Sequence, residues 1–211
     1  METQSTTPQA RPFNLQTRVV NIVTKPKQEW AVIAGEPKDV AGLYKNYIAL
    51  LAAIPVVCMA IGWSVIGISM PFVGHYRVSF GTAFANAVIQ YVLTLVGVYV
   101  AGFIIAKLAP NFQSEPDVAQ AVKLVAYSWT AVWVAGVLYL VPALGILVML
   151  AALYCIYLMY LGFTPLMKTP PDKVVVYLVV SAIVAIVVFF VIGVIATLIM
   201  PIGMAVPRAT F

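Results

Sequence analysis

The chain has 211 residues, 63% of them hydrophobic and 9% charged, with a formal net charge of +5. A soluble globular domain carries about 25% charged and about 45–50% apolar residues, so this composition excludes a soluble core. The positive balance is read as a membrane-topology signal, which leaves no case for nucleic-acid binding.

Residues 1–14 contain Thr, Gln and Pro and read as a disordered tail. Residues 15–45 read as a cytoplasmic, interfacial amphipathic segment. Val19, Val20, Ile22 and Val23 alternate imperfectly with Arg18, Asn21 and Thr24. Lys25-Pro26-Lys27 then interrupts, and Trp30, Val32 and Ile33 follow. The expectation is two short helices lying flat on the inner membrane surface. Trp30 would anchor them in the headgroup layer, and Arg18, Lys25 and Lys27 would face anionic lipid.

Uncharged apolar spans follow near 47–68, 78–106, 124–141, 143–163 and 174–200. A bilayer-spanning helix needs about 20 apolar residues, so the expected fold is all-α: five transmembrane helices over residues 46–202, with a short outer tail at 203–211. The first apolar run starts too late for a signal peptide, and it is expected to stay in the chain. With a cytoplasmic N-terminus, ten of the twelve Lys and Arg lie inside, and only Arg77 and Arg208 lie outside. All seven Asp and Glu then lie inside too. Lys and Arg decide orientation, so the C-terminus is expected outside the inner membrane.

Residues 124–167 carry no formal charge, and one helix of that length would run about 66 Å, twice the membrane core. Val141-Pro142-Ala143-Leu144-Gly145 supplies the breaker that folds it into a tight hairpin. Two loops carry helix-start chemistry. In Ser114-Glu115-Pro116-Asp117 and Thr169-Pro170-Pro171-Asp172, Ser114 and Thr169 are expected N-caps, with an acid three residues on. Small residues recur four apart at Ala49/Ala53, Gly81/Ala85, Ala131/Ala135 and Ser181/Ala185, which suits close helix packing in lipid.

No enzymatic constellation is present. The single histidine, His75, stands in the short outer loop with no carboxylate on its side, and Cys58 and Cys155 lie inside spans, so no metal site, triad or cofactor is expected. The polar residues Asn86, Gln90 and Thr94 share one face of the second span at i, i+4 and i+8. They read either as interhelical hydrogen-bonding groups or as the lining of a small-solute path. Tyr154 and Tyr157 are candidates to meet that face. The only substantial charged surface is cytoplasmic, where Lys107, Asn111, Lys123, Lys168 and Lys173 are candidate partner contacts; each also serves as a positive-inside anchor. The partners expected are the lipid bilayer, with a protein partner or a second copy of the chain.

Several blocks resemble bacterial members of the Yip domain family (Ypt/Rab-interacting proteins). They are Val23-Thr24-Lys25-Pro26, Glu29-Trp30, Glu36-Pro37, Lys107-Leu108-Ala109-Pro110-Asn111-Phe112, Lys123-Leu124-Val125-Ala126-Tyr127-Ser128, Leu140-Val141-Pro142-Ala143-Leu144-Gly145, Tyr154 to Gly162, and Lys168-Thr169-Pro170-Pro171-Asp172-Lys173 with Tyr177. The resemblance implies five membrane helices, a cytoplasmic N-terminus and no enzyme activity. The Rab partner of eukaryotic relatives is not carried over. Where relatives often have Thr-Pro early in the third helix this chain has Thr130-Ala131, which implies a straighter helix.

Overall fold

A computed structural model describes residues 14–70 and 74–199. The expected disordered tail at 1–14 lies almost wholly outside these residues, and the outer tail at 203–211 and Arg208 lie outside them entirely.

Two short helices come first, α1 (Leu15–Thr24) and α2 (Pro26–Gly35). The Asn14 side chain caps α1 by accepting from the Thr17 N–H at 3.0 Å. Lys25 leaves the helical region, and Pro26 starts α2 at the position where its missing N–H costs nothing. Pro37 forces Glu36 into an extended conformation and ends α2.

Five helices long and apolar enough to cross a bilayer follow: α3 (Val40–Ile66), α4 (Phe80–Phe112), α5 (Val118–Leu140), α6 (Pro142–Met167) and α7 (Pro171–Ile199). The protein is therefore an all-α polytopic membrane protein. Between α3 and α4, β1 (Ile68–Met70) pairs antiparallel with β2 (Gly74–Tyr76), Ser69 opposite His75. Gly67, at φ 88°, makes the turn out of α3.

Most spans begin or end a turn or more beyond the apolar runs, because caps extend them. Asp39 caps α3 through the Gly42 N–H at 2.9 Å, and Ser79 caps α4 through Thr82. At α5 the cap is Asp117, which accepts from the Gln120 N–H at 3.1 Å. This corrects the expectation for Ser114, whose hydroxyl instead donates to Thr169 Oγ1 at 2.9 Å. That bond also occupies the Thr169 hydroxyl.

The breaker works as expected. Val141 is extended, and 3-10 turns flank it on both sides. The third span, α5, runs through Thr130-Ala131 without a proline. Its α-helical ladder is interrupted at Trp129, where the Thr130 hydroxyl donates to the Tyr127 carbonyl at 2.8 Å and competes with the backbone.

Burial identifies α5 as the central helix: 67% of its apolar window is enclosed by protein, against 17–33% for the other spans. At Gly136 an added Cβ would stand 2.5–2.8 Å from Pro55, so only glycine lets α5 lie against the proline bend of α3. Tyr177 ties α4 to α7 by donating to the Ile105 carbonyl at 2.5 Å while its ring stacks on Phe112 at 4.4 Å. The small-residue pairs sort unevenly. Ala131, Ser181 and Ala185 are buried, but Gly81 faces open space and Ala85 is exposed. Gly81/Ala85 is therefore not a packing site.

Candidate functional site at the charged end of the bundle

The α1–α2 hairpin does not lie flat on the membrane surface. It packs between the bundle helices, and its turn reaches the middle of α6, where the Tyr154 hydroxyl donates to the Val23 carbonyl at 2.7 Å. At 1.5 Å per residue that point is about 20 Å from the Met167 end of α6. Tyr154 is thus engaged by the hairpin and not by the α4 polar face.

A buried ionic cluster holds the hairpin. Arg18 Nη1 donates to Glu29 Oε1 at 2.5 Å, and Nη2 to Glu36 Oε1. Lys123 Nζ, on α5, donates to the carbonyls of Ile33 at 3.3 Å and Glu36 at 2.9 Å. Those carbonyls belong to the C-terminal end of α2, where cations and donors are favoured. Two cations and two anions make the set neutral, the condition under which buried charges are tolerated. The guanidinium of Arg18 sits 5.8 Å from the Tyr127 ring. That ring lies 4.5 Å from Tyr47, whose hydroxyl shares a 2.6 Å hydrogen bond with Thr130.

Two expectations need correction here. Trp30 is 1% exposed, edge-on to Tyr127 at 6.2 Å and pressed against Gly162, so it is a packing residue and not a headgroup anchor. A Cβ at Gly162 would meet the Trp30 ring at 2.9 Å. Lys123 is 3% exposed and spent on α2, so it is not part of an accessible contact surface.

A second set of contacts joins the segments at this end. Lys38 pairs with Asp117. Burial alone would raise the Asp117 carboxyl, but the hydrogen bond from Lys38 and the Gln120 N–H outweigh it and hold it below the usual range. The same hydrogen bond raises Lys38 above its usual value. Lys168 Nζ reaches Glu115 Oε1 at 2.6 Å, and the Glu115 N–H donates to the Met167 carbonyl at 2.8 Å. Lys173 lies 3.7 Å from Asp172. Lys107 is exposed 5.4 Å from the Phe103 ring, and Asn111, four residues on, is exposed too. Of the five candidate contacts, the structure brings Lys107, Asn111 and Lys168 to the exposed surface, leaves Lys173 half-buried and takes Lys123 inside.

On α4, Asn86 is buried and Gln90 and Thr94 are half-buried. Thr94 donates to its own helix, to the Gln90 carbonyl at 2.7 Å. The carboxamides of Asn86 and Gln90 make no hydrogen bond among the described residues. No group of three or more His, Cys, Asp or Glu able to hold a metal occurs among the described residues.

Sequence reasoning missed the Arg18–Glu29–Glu36–Lys123 cluster. The signal was there: Arg18 shares a face with Ile22, Glu29 with Ile33, and Lys123 stands between Val122 and Leu124. A charge on an apolar face is misplaced unless it is paired inside.

These features define a class, polytopic helical membrane proteins whose N-terminal hairpin is folded into the bundle. The Yip1 domain family model matches residues 20–195, and the chain belongs to that family. It is 31% identical over 149 residues to the inner membrane protein YohC of Escherichia coli strain K12, covering 69% of this chain and 76% of that protein. The YohC of Escherichia coli O6:H1 matches with the same figures. No solved structure matches the chain.

Proposed function

We propose that the protein is a non-enzymatic organiser of the bacterial inner membrane, which binds a protein or lipid partner through its charged end. In this reading the charged end and the N-terminus are cytoplasmic and the C-terminus lies outside, following the distribution of Lys and Arg.

The observation that carries the reading is the fate of the carboxylates. Glu29 and Glu36 pair with Arg18, Glu115 with Lys168, Asp117 with Lys38 and Asp172 with Lys173. Asp39 caps α3. Glu29, Glu36, Asp39 and Asp117 are thus committed to holding the fold, and Glu115 and Asp172 stand in exposed ion pairs at the surface. Lys25, Lys27, Lys45 and Lys107 remain exposed and without an ion-pair partner among the described residues, Lys25 and Lys27 at the hairpin turn and Lys45 and Lys107 at the charged end alongside the exposed Asn111. That pattern supports a stiff surface with spare positive charge, suited to an acidic protein segment or anionic headgroups.

The test is a photo-crosslinking side chain placed at Lys107 or Asn111 of the full chain in native membranes, with Arg77 at the other end as control. A discrete adduct at 107 and 111, absent at 77 and lost on Lys168→Glu, supports the reading. Adducts that are absent, or equal at all three positions, overturn it.

A second reading, a small-solute path along α4, rests on Asn86, Gln90 and Thr94 sharing one helix face. Against it, Thr94 is turned to its own backbone.

A further inference from the structure

A cavity of about 390 Å³ opens between α5, α6 and α7. Its wall includes Trp129 of α5, Cys155 and Met159 of α6, and Leu178, Ala185 and Phe189 of α7, without one charged side chain. The space exists because Cys155, Ala182 and Ala185 are small where neighbouring positions are large. Trp129 and Phe189 close its far end, with ring centroids 4.2 Å apart. Its volume falls within the range of about 300–1,000 Å³ typical of small-molecule sites.

We propose that this cavity holds one acyl chain of a membrane phospholipid. The occupant follows from the surroundings. Two wall residues at the mouth, Leu153 and Ile186, are 65% and 68% exposed. Both sit on helices of spanning length, so the mouth faces bilayer hydrocarbon and not water. An apolar void left empty forfeits the dispersion contacts of its whole lining, and water there would find no polar partners. An acyl chain is the apolar molecule present at that depth in excess.

The direction of entry also follows. Leu178 lies five residues beyond Lys173, about 7.5 Å, whereas Phe189 is ten residues short of Ile199, about 15 Å from that end of the helix. The cavity is therefore nearer the charged end, and the headgroup lies at that end of the bundle. This inference does not depend on the partner-binding reading, since the cavity lies within the spans.

The experiment uses the full chain in phosphatidylglycerol/phosphatidylethanolamine vesicles containing a phosphatidylglycerol with a mid-chain diazirine. After irradiation, adducts are mapped by mass spectrometry. Adducts are expected to concentrate on the wall residues of α6 and α7, several-fold above Val88 and Val92, which are comparably exposed on α4. Ala185→Phe, which fills the space, should cut the α6–α7 adducts several-fold and leave those on α4 unchanged. Ala182→Leu, a smaller filling, should give a lesser cut and serves if the first variant fails to assemble. An even distribution of adducts over α4, α6 and α7, or a distribution that neither variant alters, overturns the proposal.

Discussion

Replacing Arg18 by Met should release the N-terminal hairpin while leaving the five spans in place. The Arg18 and Glu29 side chains are 8% and 10% exposed, and Glu36 is 28% exposed. Removing the guanidinium strands Glu29 in the interior and takes from Glu36 its ion-pair partner. Breaking a buried ion pair by deleting one partner costs about 3–5 kcal/mol. At about 1.4 kcal/mol per tenfold, the closed-to-open ratio of the hairpin falls by roughly 100- to 4,000-fold. Burial of Ile22, Trp30 and Ile33 offsets little of this, because lipid receives those side chains nearly as well as the bundle does. The assay is amide hydrogen exchange in lipid nanodiscs. Protection over residues 15–35 should fall by about two orders of magnitude or more, while protection in α5 and α7 stays unchanged. The double variant Arg18→Met, Glu29→Met, which leaves Lys123 balanced by Glu36, should recover most of the lost protection, since a buried pair replaced by apolar groups is often neutral. A change below about threefold in the single variant, or an equal loss across all helices, would refute the reasoning.

Further expectations concern contacts at and around the same end. Gly162→Leu drives a side chain into Trp30 and Leu124 and should lower the thermal midpoint, costing about 1–3 kcal/mol, whereas Gly81→Ala, with open space around it, should be neutral or slightly stabilising in the same melt. Asp117→Asn keeps the cap and loses only the exposed ion pair, so it should cost under about 1 kcal/mol, while Asp117→Ala also loses the cap and should cost about 1 kcal/mol more by denaturant titration in detergent. The Lys38–Asp117 tether has a defined pH window. The folded Asp117 is held below its ordinary value, so its contribution is present above about pH 4 and is lost as pH falls through the folded value; Lys38 is raised, so its contribution is lost only above about pH 10. Hydrogen-exchange protection of the backbone amides at residues 38–40 and 117–120 in the unaltered chain, corrected for intrinsic exchange, should therefore be constant from about pH 5 to 9 and decline below about pH 4.

Much of this architecture was legible in the sequence, for a simple reason. A span is a local property: twenty uncharged apolar residues in a row announce it, and Val141-Pro142 announces where the long run must turn. The resemblance blocks from Lys107 to Tyr177 also identified the family. The hairpin was not legible, because its fate depends on partners far along the chain. Arg18 meets acids eleven and eighteen residues away, and Lys123 crosses from another helix. Periodicity alone assigned Arg18 and Trp30 to water and headgroups. Only the pairing, which neutralises the charges inside, makes burial the better solution. The expectation that Ser114 caps α5 failed on a similarly non-local contact, since Thr169 claims its hydroxyl.

The measurement that tests the central claim most directly is thiol accessibility. With Cys58 and Cys155 replaced, single cysteines at Lys107, Asn111 and Gln90 are labelled with a membrane-impermeant reagent in intact cells and in inverted vesicles. The account predicts labelling of positions 107 and 111 from the cytoplasmic side alone, and protection of position 90 from both sides. Labelling of 107 and 111 in intact cells would reverse the orientation. Labelling of 90 from either side would mean that the α4 face is wet, and the organiser reading would give way to a solute path.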